Sequence, residues 1–205
     1  MGENRNWTAH EYEEFQNFAK EFANESDRAA VILGAAKLDI LLYQILHRYL
    51  IPVTSNNDEL LDGDSPLASF SSRINICYRL GLLDRDLTRS LHLVRRIRNS
   101  FAHELSSTSL DNGAHRDRVK ELVAPFRSYV DFERTFNDLF GERVGSGKEF
   151  RMVVAILSLR LEGLFEGVDP VSDRAQCLIP PGWQTHEEAR NAESRQKTDA
   201  EQSAP

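Results

Sequence analysis

An all-α fold is predicted, a helical bundle followed by a disordered C-terminal tail, and three observations predict it. Apolar residues recur at three- and four-residue spacing in several long windows, no window alternates as a strand would, and short polar breaks separate the windows. Short breaks favour antiparallel neighbours, which is the packing of a bundle. The expected organisation is an N-terminal amphipathic helix in 1–25, a helical domain over 26–167 and a polar tail over 168–205.

Each element has a local reason. Thr8 and Glu11 have capping-box spacing, and Phe15, Phe18 and Phe22 then mark one side of a first helix from Thr8 to Asn24. Ser26 is placed to cap a long second helix that ends before Pro52, with Ala29, Ile32, Leu33, Ala36, Ile40, Tyr43 and Leu50 as its apolar stripe. The Asn-, Asp-, Ser- and Gly-rich segment 53–64 reads as a loop, and Ser65-Pro66 as the start of a third helix running to Gly81. Asp84 caps a fourth helix whose stripe is Leu87, Leu91, Val94, Phe101 and Leu105. After a polar break at 106–113, helical sequence runs to Phe140 with an interruption at Pro125. The run from Phe150 to Phe165 is too short and too charged to span a membrane and reads as a buried closing helix. Beyond Val168, three prolines and then a polar stretch from Glu187 to Pro205 lack apolar periodicity, so disorder is expected there.

The 205 residues, 40% hydrophobic and 28% charged, suit one globular domain plus a tail. Met1 to Glu25 is acidic and amphipathic, which fits neither a signal peptide nor a membrane span, so a cytoplasmic location without membrane association is expected. Cys77 and Cys177 form no C-x-x-C pair, the six histidines show no ligand spacing, and no metal or cofactor is expected. Gly141 to Glu149 has glycine and lysine in an order resembling a phosphate-binding loop. The glycine spacing is one too long, Glu149 stands where Ser or Thr is needed, and a helix connection explains the segment better.

The net charge of −7 opposes general adhesion to nucleic acid. Between Arg73 and His103, however, seven arginines face only Asp84 and Asp86. Either this is a solvated helix face or Arg73, Arg95 and Arg96 form a surface that binds RNA or a partner. Within the segment, Arg98 falls in the stripe of Leu91, Val94, Phe101 and Leu105, with Asn99 and His103 as i, i+4 neighbours at its flank. A guanidinium facing inward needs a carboxylate, a wet cleft or a subunit interface. Asp39, on the flank of the second helix's stripe, is the candidate partner. Two readings stand side by side: a buried Arg98–Asp39 strut with an Asn99–His103 hydrogen bond, or a site for phosphodiester chemistry in which His103 moves a proton and Arg98 stabilises phosphate. Arg98 and His103 are about 140° apart around one helix, so a two-fold pair of helices would bring them together, and a homodimer is expected.

The segment Arg98-Asn99-Ser100-Phe101-Ala102-His103 resembles the R-x4-H element of HEPN domains, including the polar residue after the arginine usual in their ribonuclease members. Asp27 to Ala36, Leu61 to Leu67 with Ser69 to Ile74, Leu80-Gly81-Leu82, and Ile97 to His103 occur in an order similar to the mannitol operon repressor (MtlR) family, and the resemblance extends through Phe150-Arg151. It covers Asp27 to Glu166. It implies a HEPN-like bundle and negative regulation of a sugar-alcohol operon but no mechanism, and contact with a regulatory protein or RNA is expected in place of operator reading. No helix-turn-helix with a basic recognition helix is evident, so direct sequence-specific DNA binding is not expected. Two rivals remain: a metal-independent endoribonuclease, as a toxin or defence effector, with Arg98, Asn99 and His103 as its catalytic residues, and a non-catalytic adaptor whose surface binds another protein.

Overall fold

Ser26 turns the chain into the longest helix by accepting a hydrogen bond from the Ala29 amide on its hydroxyl, and α1 then runs Asp27–Tyr49. The computed structural model describes residues 13, 17, 20, 22–54, 57–104, 109–141, 145–172, 182–188 and 190. Most of the expected first helix, and of the tail, lies outside them. After α1 come α2 (Phe70–Arg79), α3 (Arg85–His103), α4 (Gly113–Val123), a 3-10 turn at Ala124–Phe126, α5 (Val130–Phe140) and α6 (Ser146–Gly167), with no strand among the described residues. The fold is all-α, as the periodicity predicts.

The element starts follow local chemistry. Asp84 caps α3 by accepting the Leu87 amide at 2.8 Å, and Pro125 marks the break between α4 and α5. α2 begins later than Ser65-Pro66 suggests. Ser65 to Ala68 form turns, and the cap is Ser69, whose hydroxyl accepts from Ser72. Gly81 leaves α2 at φ 76°, a conformation costly for a residue with a Cβ.

α1 is the centre of the bundle, flanked by α6, α3 and α2, while α4 and α5 pack on α6. It comes close enough to α6 that a Cβ at Gly34 would sit 2.9 Å from both Val154 Cγ1 and Phe22 Cζ. The inward face of α1 is Ala30, Val31, Gly34, Ala35, Leu38, Leu41, Leu42, Ile45 and Leu46. This corrects the expected stripe: Ile32, Leu33 and Ile40 point outward at 37%, 52% and 56% exposure. α1 is apolar around most of its circumference, so periodicity alone did not select the face that packs. By length and composition it is also apolar enough to cross a membrane, which the sequence reading missed, but half of the qualifying window is buried inside the bundle. Cys77 is fully buried on α2, and burial pushes its thiol up to about 12.

A buried ionic hub ties three distant segments together. Arg151 on α6 donates to Asp27 Oδ1 at 3.0 Å, to the Gly147 carbonyl at 2.7 Å, and to the carbonyls of Phe22 and Glu25. Asp27 Oδ2 accepts from the Ser109 hydroxyl and the Leu110 amide. At the start of α6 the Asp111 carboxylate accepts from the amides of Ser146 and Gly147. An acid already occupies that helix N-terminus. Lys148 donates to the Phe140 carbonyl and Glu149 pairs with Arg127 at 2.8 Å, so the glycine-rich connection is used for packing.

Residues 172–205 form a second unit. In its described part, Thr185 and Glu188 cap each other reciprocally and start a helical turn at His186–Glu188, inside the segment expected to be unstructured.

Candidate functional site

A cleft of about 480 Å³ opens between α1, the N-terminus of α2 and α3. Ile32, Ala35, Ala36 and Asp39 supply one wall, Ala68 to Ser71 the second, and Arg95, Arg98 and Asn99 the third. Helical spacing explains the third wall, because 95, 98 and 99 share a face at i, i+3 and i+4.

The structure redistributes the sequence-predicted residues. Arg98 is exposed and does not face the core; its guanidinium donates to the Asn99 side-chain oxygen at 3.1 Å. The inward positions of α3 are Ser90, Leu91, Leu93, Val94, Ile97 and Phe101, and Ile97 takes the place the stripe assigned to Arg98. Asp39 is not the partner of Arg98. It pairs with Arg73 at 2.8 Å, and Arg73 also donates to the carbonyls of Leu67 and Leu61 and lies 5.1 Å over the Tyr43 ring. Arg73 is therefore a strut between α2, α1 and the preceding loop, with its side chain only 12% exposed. The expected Asn99–His103 hydrogen bond is absent too, since Asn99 takes its bond from Arg98 and His103 is exposed without a hydrogen-bond partner among the described residues.

Arg95 and Arg96 diverge. Arg95 lines the cleft, whereas Arg96 lines a separate groove of about 360 Å³ with Tyr78, Arg85, Arg89, His92 and Glu121. Neighbouring positions on a helix are about 100° apart, so a run of arginines in sequence is not a patch in space. Arg95, Arg96 and Arg98 make no ion pair among the described residues, while Arg89 is bound to Glu121 at 2.7 Å.

Two histidines gain roles that sequence reasoning did not find. His115 on α4 is buried, lies edge-on to Phe101 at 4.6 Å between ring centres, and contacts the Glu104 carboxylate at 3.1 Å. Ser100 donates to the same carboxylate, and Arg28 reaches the Glu104 carbonyl, so the end of α3 beside His103 is clamped. His92 contacts Asn75 at 3.1 Å, and desolvation first, then the charges of Arg95 and Arg96, hold its pKa below the ordinary 6.5. As pH falls, the unfolded chain takes this proton before the folded one does. Stability contributed by neutral His92 is thus present above pH 6.5 and lost as pH drops through the lowered folded value. Melting temperature measured from pH 7.5 to 5 should fall less steeply in His92→Gln than in wild type; identical slopes would show that His92 does not contribute.

Together these features define a helical-bundle protein with a cationic cleft on one side and an uncovered apolar ridge on its central helix. No family model matches the chain, and no curated protein matches it. Among solved structures the chain is similar to the X-ray structure of the MtlR–HPr complex from Escherichia coli, at 17% identity and a TM-score of 0.46, over 74% of this chain and 98% of that one. The likeness is distant and confined to the helical arrangement.

Proposed function

We propose that this chain is an MtlR-like negative regulator of transcription, cytoplasmic and homodimeric, that works by protein contact instead of reading DNA. The observation that carries the reading is the ridge of Ile32, Leu33, Ala36 and Ile40 on α1, which is exposed along i, i+1, i+4 and i+8. A continuous apolar ridge on the central helix is costly to leave in water and fits a second copy of the same helix across a two-fold axis. RNA is the weaker partner, because the predicted basic set does not form one track: Arg73 is tied to Asp39, and Arg96 faces another groove than Arg95. Light scattering at micromolar concentration should give twice the chain mass for wild type and the single chain mass for Leu33→Glu combined with Ile40→Glu. A monomeric wild type would refute the dimer.

One observation favours the endoribonuclease reading: Arg98 and His103 are both exposed on the last two turns of α3, free to meet across a dimer axis. Incubation with total RNA in chelator separates the two. Cleavage by wild type that disappears in His103→Ala would make the protein an enzyme; intact RNA in both supports contact regulation.

A further inference from the structure

The cleft beside α3 holds more donors than the fold uses. Arg95 and Arg98 line the cleft without an ion pair among the described residues, and Arg98 spends a single N–H on Asn99. The first-turn amides of Phe70 and Ser71 open α2 on the same cleft and find no acceptor among the described residues, since the Ser69 cap takes only the Ser72 amide. Among the described residues the acid in the lining is Asp39, which pairs with Arg73. Two guanidinium groups without an ion pair, lining one cleft with the first turn of a helix, suit an anion with several acceptor oxygens. We propose that this cleft binds the phosphate of a small organic phosphate monoester, with the organic part against Ala68 and Phe70.

Size and charge choose this ligand over a polynucleotide. About 480 Å³ is the range of small-molecule sites. A nucleic-acid strand requires a succession of cations along its backbone, but among the described residues the cations in the lining are Arg95 and Arg98. The cleft is built from one protomer, so the proposal goes beyond the contact function above and does not depend on it.

The test is calorimetric titration of the full chain with glycerol 3-phosphate and with adenosine 5′-monophosphate, beside glycerol and adenosine. Expected is saturable binding of at least one phosphate ester and none of the dephosphorylated compounds. Affinity should fall about ten-fold or more in Arg95→Gln and in Arg98→Gln, as for loss of a charge-assisted hydrogen bond, and hold in Arg96→Gln, whose side chain lines the other groove. Circular dichroism confirms that each variant is folded before it is titrated. Absence of saturable binding to both esters at millimolar concentration would overturn the proposal, as would an equal loss in Arg96→Gln, which would mean diffuse charge attraction. Tight binding of a single-stranded RNA 12-mer through Arg95 and Arg98, with neither ester bound, would assign the cleft to RNA and overturn it equally.

Discussion

Arg151→Ala is expected to lower the free energy of unfolding by about 3–5 kcal/mol, the usual result of removing one partner from a buried ion pair. Arg151 is only 5% exposed and serves four acceptors: the Asp27 carboxylate and the carbonyls of Gly147, Phe22 and Glu25. Its removal takes a side-chain donor from each of those carbonyls and leaves Asp27 with the Ser109 and Leu110 bonds on its second oxygen. Lysine should rescue little, because one ammonium cannot reproduce a planar fork with donors in several directions. Urea denaturation of wild type, Arg151→Ala and Arg151→Lys measures this directly. A loss under about 1 kcal/mol in the alanine variant would mean that water replaces the guanidinium and that the hub does not hold α1 to α6.

The second expected result is a contrast between two arginines. Arg73→Ala should cost about 3 kcal/mol, since it strips Asp39 of its ion-pair partner and frees two backbone carbonyls in a partly buried site. Arg98→Ala should change stability by less than about 1 kcal/mol, because its guanidinium is exposed and its one bond is to the adjacent side chain. Function should show the reverse order for any activity of the cleft, with Arg98→Ala impaired while fully folded. Parallel denaturation curves settle the stability side. A loss of several kcal/mol in Arg98→Ala with Arg73→Ala unaffected would return Arg98 to the strut role.

What the sequence determined by itself is what depends on neighbours a few residues apart. Ser26 and Asp84 cap helices because their side chains reach amides three residues on, and Pro125 breaks a helix because it lacks an amide hydrogen. The closing helix was legible from a dense apolar run, although it starts four residues before Phe150, where Asp111 from a distant segment caps it. The second group of facts needed the tertiary structure. α1 carries apolar residues on both sides, and Val31, Leu38, Leu42 and Ile45 became the core only because α6 and α3 cover that side, leaving Ile32, Leu33 and Ile40 in the open. Nor does a sequence reveal which arginine meets Asp39, because a guanidinium on a long stem pairs according to how helices cross. Arg73 on α2 arrives there, and Arg98, left without an acid, turns to the cleft. Helix starts are short-range hydrogen bonding. Partner choice is decided by which surfaces exclude water together, and that is a property of the packed bundle alone.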